Sequence, residues 1–170
     1  MRKALNVIGL PVIETLTGEE VGKVQDVLFN KQWFFQGVVL ETNGWFKKGR
    51  FIPFDKISAV GLDAIMIDNV QFIQSLEHTS HLFGLVSGNP KIKGLTVLTQ
   101  NGHQLGQVED VYFLEEMGTL VGYELSEGFI SDLREGRKLL KSPTHSTLGE
   151  HALIVPVSSE EDVGEIVQGE

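Results

Sequence analysis

Apolar and polar residues alternate with a period of two along much of the chain. Residues 21–29 place their side chains alternately on two faces, and Gly22 interrupts the run. Such alternation with few prolines is typical of β-strands rather than helices. Further short apolar runs at 38–40, 50–54 and 64–67 follow at the spacing of a small barrel or sandwich. The pattern therefore predicts an all-β fold.

The pattern of the first half recurs in the second half. Residues 18–29 align with residues 102–113 (102 − 18 = 84), and six of the twelve positions are identical. Residues 37–40 then align with residues 122–125 after one inserted residue, and later blocks follow in the same order. Self-similarity at a fixed offset is the signature of a duplicated structural unit. We therefore expect two copies of one module.

Glycines mark corresponding bends in the two copies. Gly18 and Gly102 lie between apolar runs, where a tight hairpin turn requires a positive φ. Gly22 and Gly106 interrupt otherwise regular strands and indicate a β-bulge or a sharp bend. Both pairs predict that the copies turn their strands in the same way.

The blocks suggest four segments along the chain. We expect one barrel over residues 1–69, a linker over 70–90, a second barrel over 91–157 and an acidic tail over 158–170. Apolar residues in the linker are spaced as in an amphipathic helix that ends at Gly84. The tail is acidic and only weakly apolar, so it is expected to fray.

The second copy contains a longer insertion than the first. Phe129, Ile130 and Leu133 recur at i, i+1 and i+4, and Gly136 follows as a stop signal. This spacing predicts a helix of one to two turns that covers one end of the second barrel.

The repeated block reads G-x-x-[VL]-G-x-V-x-D-V-x-F, and the first copy closes with V-G-x-D-A-I at residues 60–65. These motifs resemble the PRC-barrel family, a β-barrel domain known from the photosynthetic reaction centre H subunit and the C-terminal half of the ribosome maturation factor RimM. The resemblance covers residues 5–68 and 91–156 and implies two tandem small PRC-type β-barrels. It also implies a docking platform rather than an enzyme. We see no RimM-type N-terminal domain and no H-subunit-type transmembrane helix, so neither specific function is expected here.

Composition excludes several classes of function. The chain has no cysteine, which rules out disulfides, iron–sulfur clusters and Cys-ligated zinc. No apolar run approaches the ~20 residues of a membrane-spanning helix. The apolar run at 4–13 is interrupted by Asn6, Gly9 and Pro11, which favours a first strand over a signal peptide. A soluble, cytoplasmic protein is expected.

The negative charge is concentrated in the second half. Residues 1–90 carry 8 basic and 9 acidic side chains (8 − 9 = −1), whereas residues 91–170 carry 6 basic and 14 acidic ones (6 − 14 = −8). A broad electrostatic footprint on nucleic acid needs a basic surface. Any contact with nucleic acid is therefore expected to be local and to come from the first half.

Two groups of residues could carry chemistry but favour simpler interpretations. His78 and His81 are three residues apart, but Glu77 is the only obvious candidate for a third ligand, so a solvated linker is favoured over a metal site. Asp26 and Asp110 occupy the same position in both copies and could form an acid–base pair. Their duplication favours a structural role, in which each carboxylate accepts backbone N–H groups within its own barrel. We expect neither enzymatic activity nor a cofactor.

One aromatic and basic cluster stands out as a candidate binding site. Its residues are Trp45, Phe46, Lys47, Lys48 and Arg50. Trp, Phe and Arg are enriched at protein interfaces, so docking to a protein partner is the leading interpretation. The alternative is that the cluster stacks on RNA or associates with the ribosome. The purely structural interpretation is that the cluster is an ordinary exposed hairpin tip. A second copy of the same chain, in a homo-oligomer, is a further candidate partner.

Overall fold

A computed structural model gives the architecture of the chain and describes residues 1–42 and 49–166. The fold is all-β, with two curled sheets that correspond to the two sequence copies, so the expected fold class is confirmed. The described residues contain one α-helix, α1 (Phe129–Glu135). No helix in this part of the chain has the length and hydrophobicity needed to cross a membrane.

Among the described residues, nine strands precede the second copy. They are β1 (Arg2–Lys3), β2 (Pro11–Glu14), β3 (Glu20–Phe29), β4 (Phe35–Leu40), β5 (Arg50–Pro53), β6 (Ile57–Val60), β7 (Ile65–Ile67), β8 (Gln74–Ser75) and β9 (Phe83–Gly84). The first sheet has the order β6-β7-β2-β3-β4-β5-β8, and β9 also pairs with β3. Every pair is antiparallel except β2 with β7.

The second copy repeats this arrangement. Its strands are β10 (Thr96–Thr99), β11 (Gln104–Phe113), β12 (Leu120–Ser126), β13 (Lys138–Lys141), β14 (Thr147–Leu148), β15 (Ala152–Val155) and β16 (Val163–Glu165). The order is β14-β15-β10-β11-β12-β13-β16, with β1 attached to β11. Strands β10 and β15 form the parallel pair, as β2 and β7 do in the first copy. The two sheets therefore match strand for strand.

The glycines bend both copies as predicted. Gly18 and Gly102 take positive φ angles of 70° and 87° in the two hairpin turns. The strand register shifts beside Gly22 in the β2–β3 pair and beside Gly106 in the β10–β11 pair. A shift of this kind is a β-bulge, which increases the local bend of a strand.

Two segments differ from the sequence-based expectations. The linker is not an α-helix: it contains two 3-10 turns, Val70–Phe72 and Leu76–Thr79. Strand β8 lies between these turns and pairs with β5, so its backbone hydrogen bonds go to the sheet. In the tail, Val163–Glu165 is not frayed but pairs as β16 with β13. Pairing at a sheet edge overrides the weak local signal in both segments.

The two copies exchange their leading segments. Strand β1 precedes the first copy but pairs with β11 of the second. Strand β9 precedes the second copy but pairs with β3 of the first. The paired residues are Arg2 with Phe113, Lys3 with Tyr112, Phe83 with Phe29, and Gly84 with Leu28. The register is equivalent in the two cases, because Phe113 and Tyr112 lie 84 positions after Phe29 and Leu28.

The junction between the copies is also reciprocal. Phe34 forms an isolated β-bridge with Thr119, its own counterpart 85 positions along the chain (119 − 34 = 85). Two equivalent hydrogen bonds flank this bridge. Phe35 N–H donates to the Gly118 carbonyl at 2.7 Å, and Leu120 N–H donates to the Trp33 carbonyl at 3.1 Å. The copies are therefore related by a local pseudo-two-fold arrangement.

The larger hydrophobic core extends through both copies. Three buried phenylalanines meet at its centre: Phe29 and Phe35 belong to the first copy, and Phe113 to the second. Their ring centroids are 6.0 Å (Phe29–Phe35), 6.2 Å (Phe29–Phe113) and 5.0 Å (Phe35–Phe113) apart. Aromatic pairs at such distances add to the stabilisation from burial itself. Each copy therefore depends on the other for part of its core.

Candidate partner-binding surface

The structure describes only part of the aromatic and basic cluster. Trp45, Phe46, Lys47 and Lys48 lie outside the described residues. Arg50 begins β5, and its guanidinium donates hydrogen bonds to the carbonyls of Val21 (3.0 Å) and Glu41 (3.2 Å). These contacts tie Arg50 to its own sheet. Its role in binding a partner remains a prediction.

Helix α1 lies in the corresponding connection of the second copy, between β12 and β13. Gly128 and Gly136 bound it with positive φ angles of 113° and 77°. Asp132 secures its first turn, because the carboxylate accepts hydrogen bonds from Ser126 Oγ (2.6 Å) and Glu127 N–H (3.1 Å). The predicted helix and its glycine stop are confirmed.

The position of the apolar side chains of α1 differs from the prediction. Phe129, Ile130 and Leu133 are 79%, 69% and 72% exposed, and α1 has no buried residue. The expectation that they cover a barrel end is wrong, because α1 is held to Ser126 at the end of β12 through Asp132, while its three apolar side chains are exposed. We call these three residues the α1 ridge. Contiguous exposed apolar side chains of this kind mark interaction surfaces.

A charged cluster lies beside α1 on the outer face of the second sheet. The Glu124 carboxylate is buried and accepts hydrogen bonds from Tyr112 Oη at 3.1 Å and Arg137 at 2.8 Å, while Lys3 Nζ lies 2.5 Å away. Burial acts to raise the pKa of Glu124, but the bonds from Lys3 and Arg137 outweigh it, so the pKa lies below its usual value. Glu124 therefore stays ionised at neutral pH.

Sequence reasoning missed this cluster, although one signal was present. Glu124 is aligned with Val39 of the first copy, so a carboxylate replaces an apolar residue inside a buried strand. A buried charge requires partners, and here they come from β1, β11 and the end of the α1 connection. Lys3 could not be identified as one of them, since its strand crosses over from the other copy.

Asp26 and Asp110 are structural, but they bind segments outside their own sheets. Asp26 accepts hydrogen bonds from its neighbour Val27 and from the N–H groups of Leu85 (3.0 Å), Val86 (3.1 Å) and Ser87 (3.0 Å). Asp110 accepts from Val111 (2.8 Å) and from Leu5 N–H (3.0 Å). The expectation that each binds within its own barrel is wrong. Each carboxylate anchors the segment that leads into the other copy.

Asp110 carries a shifted pKa. Burial is the main cause, and together with the nearby Glu124 charge it raises the pKa of Asp110 to about 6, against the backbone hydrogen bonds and Lys3, which lower it. The anchor of the N-terminal segment is therefore sensitive to mildly acidic pH.

The histidine pair lies in a different place. His78 and His81 line a cleft of about 430 Å³ in the first copy, next to Phe51 and Phe54. Within residues 1–42 and 49–166, no group of three or more His, Asp or Glu is arranged to hold a metal ion.

Two comparisons relate the chain to known proteins. The model of the PRC-barrel domain matches the chain twice, over residues 1–73 and 87–162. A Bacillus subtilis (strain 168) protein, described as uncharacterized protein YrrD, is 28% identical over 141 residues, which cover 83% of this chain and 79% of that protein. Since the two matches span most of the chain and coincide with the two sheets, the chain belongs to the PRC-barrel domain family and carries the domain twice.

Proposed function

We propose that this protein is a non-enzymatic binding module that docks onto a protein partner through the α1 ridge. The observation that carries the proposal is the exposure of Phe129, Ile130 and Leu133 on one short helix. Fully burying such side chains against a partner contributes about 1.5–3 kcal/mol each. Two or three anchors of this size are typical of the central residues of a protein interface.

The first copy offers a corresponding element in its sequence. Trp45 and Phe46 fall in the connection between β4 and β5, which is the counterpart of the connection that holds α1. We propose that both connections contribute apolar anchors. Lys47, Lys48 and Arg50 would then add basic contacts beside Trp45 and Phe46 in the connection of the first copy.

The charge distribution favours a basic partner for the second copy. Residues 91–170 carry a net charge of 6 − 14 = −8. Such a surface steers positively charged partners towards the α1 ridge and repels acidic ones. We also propose a cytoplasmic location, because a small chain without cysteine suits a reducing compartment.

A role at RNA or the ribosome is the alternative, and salt separates it from protein docking. Phosphate contacts weaken steeply as salt rises, because binding releases counterions. Contacts made by the α1 ridge are apolar and depend little on salt. Attraction of a basic partner also weakens with salt, so the binding that remains at high salt decides: remaining binding that requires the α1 ridge supports the protein partner, and complete loss in proportion to salt supports RNA.

The test compares full-length variants in quantitative affinity capture from an extract of the source organism. Phe129→Gln, Ile130→Gln and Leu133→Gln are combined in one variant. The control carries Leu16→Gln and Leu62→Gln, since these leucines of the first copy are 83% and 85% exposed. We expect the ridge variant to lose the partner by about tenfold or more, as for one or more lost anchors, and the control to retain it. Equal capture by both variants would overturn the proposal.

A further inference from the structure

A cleft of about 560 Å³, which we call the polar cleft, lies at the junction of the two copies. Lys31, Gln32 and Trp33, in the turn between β3 and β4, form one side of it. Residues 142–147, which lead from β13 into β14, form much of the other side. The polar cleft shares no lining residue with α1. It is therefore separate from the surface assigned to a protein partner.

The lining of the polar cleft is rich in hydrogen-bond donors. It includes the Lys31 ammonium, the His145 imidazole, the amides of Gln32 and Gln100, and five hydroxyl groups, those of Thr119, Ser142, Thr144, Ser146 and Thr147. Among the residues that the structure describes, none that lines this cleft carries a carboxylate. Lys31 forms no ion pair with any residue in the described ranges. A negatively charged ligand would therefore meet donors and no competing negative charge.

The pseudo-two-fold arrangement of the copies gives the polar cleft a counterpart of opposite charge. The counterpart, which we call the acidic cleft, has a volume of about 760 Å³. Three carboxylates line it, those of Asp55, Glu115 and Glu116. An anion would be repelled at this position.

Polar residues of the polar cleft replace apolar or acidic residues of the acidic cleft. The offset between equivalent positions is 88 on one side, as the strand pairing shows (147 − 59 = 88), and 85 on the other, as the bridge between Phe34 and Thr119 shows (119 − 34 = 85). The equivalent pairs are Phe54 with Ser142, Ile57 with His145, Ala59 with Thr147, and Glu116 with Lys31. The duplicated framework thus holds two clefts, and only one of them suits an anion.

Trp33 and Ser146 form one wall of the polar cleft. The buried indole donates from Nε1 to Ser146 Oγ at 2.8 Å, and the Tyr123 ring lies edge-on to it. Burial raises the pKa of Tyr123, and Ser146 is the neighbouring side chain that acts against this rise, so the phenol stays protonated at neutral pH. Tyr123 Oη is buried and has no hydrogen-bond partner within the described part of the chain. A buried hydroxyl without a partner requires an explanation, such as an ion or a water molecule that completes its surroundings.

An acceptor in the polar cleft would supply that explanation. Ser146 Oγ already accepts a hydrogen bond from Trp33, so its own O–H can donate into the cleft. Its remaining lone pair can then accept from Tyr123. A ligand that holds the Ser146 hydrogen therefore gives the Tyr123 hydroxyl a partner as well.

We propose that the polar cleft binds a small ligand that carries an oxyanion, of which inorganic phosphate is the simplest form. Lys31 supplies the positive charge, and the hydroxyl groups of Ser142, Thr144 and Ser146 donate hydrogen bonds from the opposite side. Such charge-assisted hydrogen bonds are stronger than those between neutral groups. This is a second site, for a small molecule, and it does not depend on the protein partner.

The test follows the Trp33 indole N–H by NMR of the isotope-labelled full-length protein while phosphate is added at constant ionic strength. Chloride serves as the reference anion. The protein has two tryptophans, and Trp45→Phe identifies which indole signal belongs to Trp33. We expect phosphate, but not chloride, to move the Trp33 signal along a saturable curve.

Two variants of exposed residues introduce a carboxylate on either side of the polar cleft: Lys31→Glu and Thr144→Glu. Each should weaken phosphate binding by about tenfold or more, as expected for a lost hydrogen bond to a charged group. The matched controls are Lys23→Glu and Gln25→Glu, which make the same changes in net charge at exposed positions of β3. They should bind phosphate within about twofold of wild type.

Three outcomes would overturn the oxyanion site. One is a Trp33 signal that chloride moves as far as phosphate does. Another is equal weakening of phosphate binding by the cleft variants and their controls, which would reflect net charge alone. The third is a short single-stranded RNA that moves the Trp33 signal at a lower concentration than phosphate, because the cleft would then serve a nucleic-acid backbone rather than a small ligand.

Discussion

Trp33 shows how the two copies diverged at single positions. It has a φ of 62°, a conformation that non-glycine residues rarely adopt, and its counterpart is Gly118 with a φ of 67°. The indole compensates for this strain by its contacts. Its ring lies edge-on to Tyr123 with centroids 5.3 Å apart, and Nε1 donates to Ser146 Oγ at 2.8 Å. Beside Gly118, the ring of Phe54 occupies the adjacent space.

Trp33→Ala is therefore expected to destabilise the fold strongly. The variant loses a buried indole that joins the two copies but keeps the strained backbone conformation. Removing a buried Trp typically costs about 3–5 kcal/mol of unfolding free energy. Urea denaturation followed by circular dichroism measures the loss. Gln32→Ala, at the exposed neighbouring position, serves as the control and should change stability by less than about 0.5 kcal/mol.

Asp110 gives a prediction for pH dependence. Its pKa of about 6 in the folded protein is higher than the ordinary value of 3.8, so the folded chain binds the proton more tightly than the unfolded chain. Folding stability due to this group is therefore highest below pH ~4 and falls as the pH rises to ~6, by up to about 3 kcal/mol. Asp110→Asn should remove this fall while other titrating groups keep their effects.

The measurement is chemical denaturation of wild type and Asp110→Asn at several pH values between about 4 and 7. As the pH rises through this window, the unfolding free energy of wild type should fall relative to that of Asp110→Asn. The difference should therefore favour the variant most at the upper end. A constant difference across the window would contradict the role assigned to Asp110.

At the level of elements, local sequence predicted the turns, the bulges and the helix. Gly18 and Gly102 mark hairpins because their positive φ is a local requirement, and Gly136 ends α1 for a similar reason. The sequence did not predict where α1 would lie, because its apolar residues fit a buried face as well as a binding surface. It also missed β16, whose pairing with β13 depends on contacts distant in sequence. Of the candidate surface, α1 was predicted only as a helix that covers a barrel end, and the Glu124 cluster was not predicted.

Exposure of the α1 ridge predicts that it contributes little to stability. The variant with Gln at positions 129, 130 and 133 should unfold within about 0.5 kcal/mol per substitution of wild type, since surface changes usually have small effects. Leu140→Ala, at a fully buried position of the same sheet, should cost about 2–5 kcal/mol. Thermal and urea unfolding of the three proteins check this. A ridge variant as unstable as Leu140→Ala would show that the helix packs on its own protein.

For the molecule as a whole, the two copies share a hydrophobic core and exchange strands. The aromatic centre combines Phe29 and Phe35 with Phe113, and the leading strands β1 and β9 each complete the other copy's sheet. Asp110 and Asp26 fasten those leading segments through backbone N–H groups. A domain of about 70 residues buries a smaller fraction of its surface than a larger one. Sharing a core and exchanging strands compensates for that small size.

This organisation predicts that the halves remain together after the chain is cut between them. A specific protease site placed between Ser80 and His81 lies in an exposed turn just before β9. After cleavage, β9 stays covalently attached to the second copy but paired with the first, and β1 does the reverse. The two fragments should therefore elute as one species at the size of the intact chain and separate only in denaturant. Their unfolding should remain a single transition, because one core serves both copies. Two fragments that elute apart, or two separate transitions, would show that the exchange of leading strands does not hold the molecule together.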